Sequence, residues 1–157
     1  MSDQIRVATK FDIDKLAELI AAFRDHLKQT SPCNTEIFNS LEKLLTEDNF
    51  EFMIAYTSTG KAVGYTQTRY FYSLWSTGFE AQIEDLFVLP SEREQGIGSR
   101  LVQTVIDRAR DRDCHLLALN TNERNTEGLR LYTRLGFKAE RSRWREGRQL
   151  WLEKPLE

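Results

Sequence analysis

Apolar positions in the first third of the chain change from strand spacing to helix spacing. Residues 5–8 alternate between apolar and polar side chains and predict a short strand. From Asp12, which fits a helix N-cap, apolar residues recur at helical spacing over 16–27. A break at 31–34 precedes a second amphipathic pattern over 37–45. This part of the chain is therefore predicted to form one strand followed by two helices.

The middle of the chain combines strand patterns with one long helix. Three runs rich in β-branched and aromatic residues are separated by turn signals and predict strands at 50–56, 62–72 and 79–89. A helical pattern follows Gly98. Its apolar face is formed by Leu101, Val102, Val105, Ile106 and Ala109. The apolar run 116–121 is typical of a buried strand, so residues 80–121 predict a β-α-β crossover.

The last third of the chain predicts a short helix and a hairpin. The helix spans 126–135 and ends at Gly136, a residue suited to the position just after a helix end. Two further segments, 137–144 and 148–154, flank the turn "REGR" and predict a hairpin. The whole order predicts one α+β domain over residues 1–157, with about four helices and a mixed, mostly antiparallel sheet of six to seven strands.

Composition and charge exclude some classes of partner. Hydrophobic residues make up 40% of the chain and charged residues 29%, as in ordinary globular proteins. The net charge of −2 gives no electrostatic reason to expect nucleic acid or an anionic membrane as a partner. No apolar run approaches the roughly 18 residues of a membrane span, and the N-terminus lacks the apolar stretch of a secretory signal. We therefore expect a cytoplasmic protein without a membrane or nucleic-acid partner.

The cysteines and histidines predict neither a metal site nor a redox site. Cys33 and Cys114 lie far apart, in no metal-binding or redox spacing, and are interpreted as free thiols in a reducing cytosol. His26 falls in a helical pattern and His115 beside a predicted strand, and neither has a ligand partner at a useful spacing. We expect structural or surface roles for both histidines and no bound metal.

A glycine-containing loop before the long helix is the first feature that points to chemistry. Helix N-termini present unpaired N–H groups that bind phosphates, and Gly96 and Gly98 lack the Cβ atoms that would keep a pyrophosphate away. Arg93 can add positive charge, and Ser99 a hydroxyl. The alternative is a sharp strand-to-helix turn without a ligand. A dinucleotide fingerprint is excluded because its third glycine is missing, and the chain contains no P-loop string.

The loop and two flanking segments resemble the GNAT family of N-acetyltransferases. The string from Arg93 to Gly98 matches the [Q/R]-x-x-G-x-[G/A] signature, whose loop holds the pyrophosphate of acetyl-CoA in that family. The preceding "DLFVLP" is similar to the family's fourth strand, and "NERNTEGLRLYTRLGFK" at 122–138 is similar to its second signature segment. The resemblance covers residues 50–157. Within the family, "IEDLFV" followed by "GIGSRL" resembles most the diamine (polyamine or thialysine) acetyltransferases.

The resemblance implies acetyl-CoA as co-substrate. It implies that the strand backbone guides the thioester and that amides near Phe87 and Val88 polarise the thioester oxygen. Glu94 stands where many relatives have Gly, so it is expected to donate only its backbone N–H. Asn125 is expected to contact the cofactor and also fits a helix N-cap. The implied cofactor-binding residues are Leu86, Phe87, Val88, Arg93, Glu94, Gln95, Gly96, Ile97, Gly98, Ser99 and Asn125.

The resemblance also implies two residues in proton transfer. Tyr132 matches the tyrosine that protonates the departing sulfur, and a phenol of pKa about 10 stays protonated at pH 7. Glu84 matches the glutamate that removes the amine proton in the diamine subgroup. Glu84 and Asp85 are adjacent on a strand, so we expect them to point to opposite faces, with only one acid near the acetyl group. The alternatives are a tyrosine that packs on the sheet and acids that are solvated or salt-bridged.

The function implied by the resemblance is acetyl transfer, by direct attack, to a primary amine of a small molecule such as a polyamine or a lysine-like amine. The aromatic residues of 69–75 are expected where the family's acceptor channel opens, and cross-strand packing is the alternative. A protein or peptide acceptor is a second possible function, and a non-catalytic CoA-binding module is a third. A homodimer is expected because it is common in the family.

Overall fold

The computed structural model describes residues 4–139, 147 and 150–156, and the chain forms two compact units, Met1–Thr121 and Asn122–Glu157. All five strands of the described residues belong to the first unit. Within the described ranges, no helix has both the length and the apolar character needed to cross a bilayer. A single domain over 1–157 stays a prediction.

The first unit is an α+β unit built on one mixed sheet. Its strands are β1 (Gln4–Val7), β2 (Phe50–Tyr56), β3 (Ala62–Ser73), β4 (Gly78–Val88) and β5 (Cys114–Leu119). They lie in the order β1-β2-β3-β4-β5, and every neighbouring pair is antiparallel except β4–β5, which is parallel. Its helices are α1 (Ile13–His26), α2 (Asn34–Leu44) and α3 (Ile97–Asp111). Because α3 joins the parallel strands β4 and β5, the predicted β-α-β crossover is confirmed.

Helices cover both faces of this sheet. Tyr65 of β3 is buried in a core cluster that includes Leu16 and Leu41 from α1 and α2. Its neighbour Gly64 points the other way, because a Cβ atom at Gly64 would lie 3.2 Å from Leu101 of α3. Adjacent residues of a strand face opposite sides of the sheet. We therefore call the side covered by α1 and α2 the front face and the side covered by α3 the back face.

Helix α3 is tied to the back face by one carboxylate. Glu51 of β2 accepts hydrogen bonds from Arg108 of α3 at 3.0 and 2.6 Å and from the Tyr70 hydroxyl at 3.1 Å. The guanidinium of Arg112 stacks 3.7 Å from the centre of the Tyr70 ring. Burial opposes the charge on Glu51, but the Arg108 hydrogen bonds and charge overcome it and lower the pKa of Glu51.

The start of α1 differs from the prediction. Asp12 precedes α1 but makes no side-chain hydrogen bond to cap it. Its carboxylate instead accepts from the backbone N–H of Thr9 at 2.8 Å, from both terminal guanidinium nitrogens of Arg6, and from the Tyr56 hydroxyl at 2.7 Å. The prediction that Asp12 caps α1 is therefore wrong. Asp12 instead closes a capping box on the short helical turn Lys10–Asp12, and Arg6 and Tyr56 bind its remaining lone pairs.

Two expectations about the sheet also need correction. The described residues form five strands, whereas six to seven were predicted. The predicted strand 137–144 lies mostly outside the described residues, and 150–154, the described part of the predicted strand 148–154, has no strand conformation. The run 116–121 was expected to be a buried strand, but β5 is the last strand of the described sheet and Leu116 is 49% exposed.

The second unit contains helix α4 (Thr126–Arg134). Asn125 caps its N-terminus as predicted, because the side-chain oxygen accepts a hydrogen bond from the N–H of Gly128 at 3.1 Å. Gly136 has a φ of 95°, and its N–H donates to the Thr133 carbonyl at 3.0 Å. The next N–H donates to the Tyr132 carbonyl at 2.9 Å, which completes a Schellman motif. The predicted helix and its glycine end are thus confirmed.

Candidate active site

A β-bulge interrupts β4 at the position of the expected base. Across the β3–β4 ladder, Gln67 pairs with Asp85 and Thr68 pairs with Ile83, so Glu84 has no opposite residue. One extra residue on one strand defines a bulge, and a bulge breaks the regular alternation of side chains along that strand. The expectation that adjacent acids point to opposite faces depends on this alternation.

Both carboxylates lie on the front face of the sheet. The Oε1 atom of Glu84 accepts a hydrogen bond from Arg69 Nε at 2.7 Å, and Asp85 Oδ2 accepts one from the Tyr65 hydroxyl at 3.0 Å. Tyr65 and Arg69 are four residues apart on β3, so their side chains share a face. The opposite-face prediction is therefore wrong, because the bulge turns Glu84 to the side of Asp85. We call these two residues the acid pair.

Asp85 is the more buried member of the acid pair. Its hydrogen-bond donor, Tyr65, is fully buried in the core beneath α1 and α2. Burial raises the pKa of Asp85, the Tyr65 hydrogen bond lowers it in part, and the nearby charge of Glu84 raises it again. Burial also raises the pKa of Tyr65, so the phenol remains a donor. A carboxylate with a raised pKa is the stronger proton acceptor at neutral pH.

Glu84 has a different environment, with an arginine as its partner. The Glu84 side chain is 33% exposed and that of Arg69 is 38% exposed. Arg69 also donates to the side-chain oxygen of Gln82 at 3.2 Å, and its guanidinium lies 4.7 Å from the centre of the Phe71 ring. Beside the bulge, the front face therefore presents the acid pair together with the cation of Arg69, all partly accessible.

From the bulge onwards, β4 pairs with a neighbouring strand along one edge only, the edge that faces β3. Within the described residues, the β4–β5 ladder ends at the pair Ile83–Leu119, whereas the β3–β4 ladder continues to the pair Gly64–Val88. We call residues 84–88 the one-sided stretch. Its backbone groups that point away from β3 have no β5 residue opposite them, as the resemblance predicts for the thioester site.

Strand alternation indicates which amides point away from β3. The N–H of Leu89 donates to the carbonyl of Val63 in β3 at 2.9 Å. Backbone N–H groups of successive residues alternate between the two edges of a strand, so those of Val88 and Leu86 point towards the β5 side. The N–H of Phe87 points to β3. Alternation therefore favours Val88 and Leu86 as backbone donors over Phe87, whose side chain packs in the front-face core.

The loop after β4 leads into α3 as predicted. Gly96 directly precedes α3 with a φ of 80°, and a Cβ atom added there would touch no atom within 4 Å. The first turn of α3 carries no acidic side chain. Ile97 is 2% exposed, so it can offer a ligand only its backbone, whereas Gly98 and Ser99 are half-buried. The N-terminus of a helix with these neighbours suits an anion.

Arg93 and Glu94 take roles that the sequence pattern does not reveal. The Nε of Arg93 donates to the Val88 carbonyl at 3.0 Å, so Arg93 ties the loop to the end of the one-sided stretch. Glu94 has a φ of 65°, a left-handed conformation that favours glycine. This backbone requirement gives a physical reason for glycine at the same place in relatives. Gln95 is exposed and completes the loop.

The second unit holds the expected proton donor, Tyr132. Tyr132 is 9% exposed, and its ring contacts that of Phe137 edge-on at 5.8 Å between centres. Burial raises the pKa of Tyr132, so the phenol keeps its proton at neutral pH. Asn125 caps the helix that carries Tyr132. This capping role accounts for Asn125 without any contact to the cofactor.

The aromatic residues of 69–75 do not act as one group. Tyr70 is buried on the back face with Ala81 and Ala109, which matches the packing alternative. Phe71 lies on the front face beside Arg69. Tyr72 is exposed and meets Phe79 edge-on at 5.4 Å between ring centres. Of these three rings, only Phe71 contacts a residue next to the acid pair.

Comparison with known proteins identifies the family. Residues 15–137 match the model of the acetyltransferase (GNAT) family. The chain belongs to the GNAT family. The resemblance inferred from the loop and its flanking segments is thus confirmed. Members of this family take the acetyl group from acetyl-CoA.

Individual relatives within the GNAT family act on small amines. Thialysine N-epsilon-acetyltransferase of Sus scrofa is 38% identical over 74 residues, which cover 47% of this chain and 43% of the relative. The chain therefore spans less than half the length of this relative. Aminoalkylphosphonate N-acetyltransferase of Salmonella typhimurium is 30% identical over 100 residues, 64% of each chain. Both names describe acetyl transfer to an amine.

Solved structures show the same fold as this GNAT chain. An aminoglycoside N-acetyltransferase in complex with CoA superposes with a TM-score of 0.78, at 22% sequence identity, covering 97% of this chain and 94% of the other. At this identity the likeness concerns the fold alone.

Three features of the candidate site were not predicted from the sequence of this GNAT chain. They are the front-face position of Asp85, its hydrogen bond with Tyr65, and the ion pair of Arg69 with Glu84. All three depend on the pairing of β3 with β4. The longer side chains of Tyr65, Gln67 and Arg69 alternate with Thr66 and Thr68, and this alternation is the sequence signal that marks one face of β3 as partly charged.

Proposed function

We propose that this GNAT chain is an acetyl-CoA-dependent N-acetyltransferase that transfers an acetyl group, by direct attack, to a primary amine of a small molecule. One observation carries the proposal: the bulge at Glu84 places the acid pair on one face, at the start of the one-sided stretch of β4. A proton acceptor is thereby next to backbone donors that suit a thioester oxygen. Family membership supports the same chemistry.

The residues after β4 fit the donor. Acetyl-CoA, when bound, supplies a thioester and a pyrophosphate. The open space beside Gly96, the N–H groups of Ile97 to Ser99 and the lack of acids in the first turn of α3 suit the pyrophosphate. Arg93, Glu94, Gln95 and Asn125 complete the proposed donor contacts. The amides of Leu86 and Val88 polarise the thioester oxygen, and losing one such donor typically costs ~10²–10³ in rate.

The acid pair removes the proton from the amine. An ammonium ion has no lone pair, so a lysine-like amine of pKa ~10.4 must lose a proton before attack. The raised pKa of Asp85 favours it as the proton acceptor. Glu84, the residue expected from the family resemblance, is the other candidate, and its accessible carboxylate can also hold the ammonium form. Separate substitution of the two acids distinguishes these roles.

Tyr132 donates a proton at the end of the reaction. The amine nitrogen bonds to the carbonyl carbon, the carbon–sulfur bond breaks, and the sulfur leaves as a thiolate. The buried phenol of Tyr132, whose pKa is raised, is protonated at neutral pH and supplies the proton that the sulfur takes up. The ammonium ion gives one proton to the acid pair before attack, and the nitrogen gives up a second proton after its bond to carbon has formed. The acid pair passes both protons to solvent, from which Tyr132 regains the proton that it gave to the sulfur.

The acceptor is a small amine. The relatives named for thialysine and aminoalkylphosphonates support a lysine-like or short amine, and a polyamine fits the resemblance to the diamine subgroup. We also propose that the protein acts in the cytoplasm as a homodimer. Sedimentation of the pure protein tests the dimer, and a mass equal to one 18.4 kDa chain would contradict it.

The test is a panel of acceptors with acetyl-CoA, followed by thiol release. The panel contains thialysine, spermidine, putrescine, 2-aminoethylphosphonate and an N-terminal peptide. We expect turnover with at least one small amine, and a loss of ~10²–10⁴ in kcat for Tyr132→Phe. As a matched control, Tyr72→Phe changes an exposed tyrosine and should keep full activity. Turnover of the peptide alone would contradict a small acceptor, and CoA binding without any turnover would favour a non-catalytic module.

A further inference from the structure

Arg69 is a cation in an otherwise acidic part of the front face. It lies on β3 directly opposite Gln82, two positions from the residue that pairs with Asp85. Two residues along a strand correspond to about 7 Å. Glu80, a further acid on this face of β4, is 4% exposed and accepts a hydrogen bond from Ser76 at 2.9 Å. Arg69 is therefore a charged group beside the acid pair, on the side away from residues 86–88.

Much of the Arg69 guanidinium remains available to a ligand. A guanidinium carries five N–H donors. Within the described part of the chain, one donates to Glu84 and one to Gln82, and the side chain is 38% exposed. Stacking on the Phe71 ring fixes the orientation of the guanidinium plane. A guanidinium fixed in this way, with donors left over, is suited to bind a carboxylate or phosphonate.

We propose that Arg69 is a specificity-determining residue, which binds an anionic group on the acceptor and makes the enzyme selective for zwitterionic amines over polyamines. This inference rests on the proposed function. The reacting amine lies at the acid pair, and the anionic group lies toward Arg69, a separation that the side chain of a lysine-like amino acid can bridge. A polyamine would instead bring a second positive charge close to Arg69, which is unfavourable.

Two acceptors that differ only in the anionic group test the proposal. Thialysine carries a carboxylate, and its decarboxylated analogue, bis(2-aminoethyl) sulfide, is a plain diamine. We expect kcat/KM to be about ten- to a hundredfold higher for thialysine, as one charge-assisted hydrogen-bond pair typically gives. Arg69→Gln should bring this ratio close to one, and Arg69→Lys should keep part of it. Arg110→Gln, which changes an exposed arginine on α3, should leave the ratio unchanged.

The ratio of kcat/KM for the two acceptors distinguishes a role of Arg69 in specificity from a purely structural role. If Arg69 served only as the counter-ion of Glu84, Arg69→Gln would lower kcat/KM for both acceptors equally and the ratio would persist. That result, or a wild-type ratio near one, would overturn the proposal. If no small amine of the panel is acetylated, the proposed function fails instead. Calorimetric binding of the two amines to the protein with CoA then still measures the preference, and equal affinities would overturn the role of Arg69.

Discussion

Replacement of Tyr65 by Phe tests the environment of Asp85 directly. The change removes the hydroxyl that donates to Asp85 at 3.0 Å and keeps the ring in the core. Burial and the charge of Glu84 both raise the pKa of Asp85, whereas the Tyr65 hydrogen bond lowers it. The variant should therefore raise the pKa of Asp85 further. If Asp85 takes the proton, the acidic limb of the kcat/KM profile moves to higher pH.

The same variant should change stability in a pH-dependent way. A hydrogen bond to a buried charged group contributes ~2 kcal/mol, and for a chain of this size that corresponds to a fall in Tm of roughly 4–8 °C at pH 7. A folded-state pKa raised above the unfolded value, 3.8, means that stability is lost as pH rises through the folded-state pKa. The loss in Tyr65→Phe should therefore shrink as pH falls towards 3.8.

Tyr70→Phe is the matched control for this experiment. It also removes a hydroxyl that donates to a carboxylate, Glu51, but on the back face. Tyr70→Phe should lower stability and leave the acidic limb of the kcat/KM profile at the same pH. An unmoved limb in Tyr65→Phe would refute Asp85 as the base. If Glu84→Gln abolished the limb at the same time, Glu84 would be the proton acceptor.

Three further predictions concern single positions. Glu94→Gly should raise Tm because a non-glycine residue in the left-handed region costs about 1 kcal/mol, whereas Glu94→Ala should not; equal Tm values would contradict strain at this position. Asn125→Ala should cost about 1 kcal/mol and speed hydrogen exchange at the Gly128 amide, and unchanged exchange would argue against the cap. Glu51→Gln should cost about 1–3 kcal/mol at pH 7 in urea unfolding. Because the folded-state pKa of Glu51 is lowered, this loss should fade as pH falls below 4.5, and a loss that grew on acidification would contradict the ion pair with Arg108.

Most of the local structure could be predicted from the sequence. The helical spacing of Leu101 and Val105 predicts α3 and its buried face, because an amphipathic period is a local property of the chain. Asn125 and Gly136 predict the two ends of α4 for the same reason, since caps depend on residues close in sequence. The loop around Gly96 was likewise predictable from its glycines and the strand-helix order.

The arrangement of the acid pair could not be predicted in this way. A bulge at Glu84 arises from the register between β3 and β4, which joins residues far apart in sequence, and strand alternation alone gives the wrong face. The same holds for Asp12, which fits an N-cap by position but whose carboxylate is bound by Tyr56, 44 residues away, as well as by Arg6 of the preceding strand. The position of a charged side chain depends on its partners, and the fold decides which partners lie within reach.

The most direct test of the proposed chemistry measures acetyl transfer and donor binding in the same variants. Glu84→Gln, Asp85→Asn and the double variant are compared with the wild type, using acetyl-CoA and the best small amine of the panel. We predict that kcat falls by ~10²–10⁴ in the double variant while calorimetry shows unchanged affinity for CoA. Full acetyl transfer in the double variant, with CoA still bound, would contradict the account.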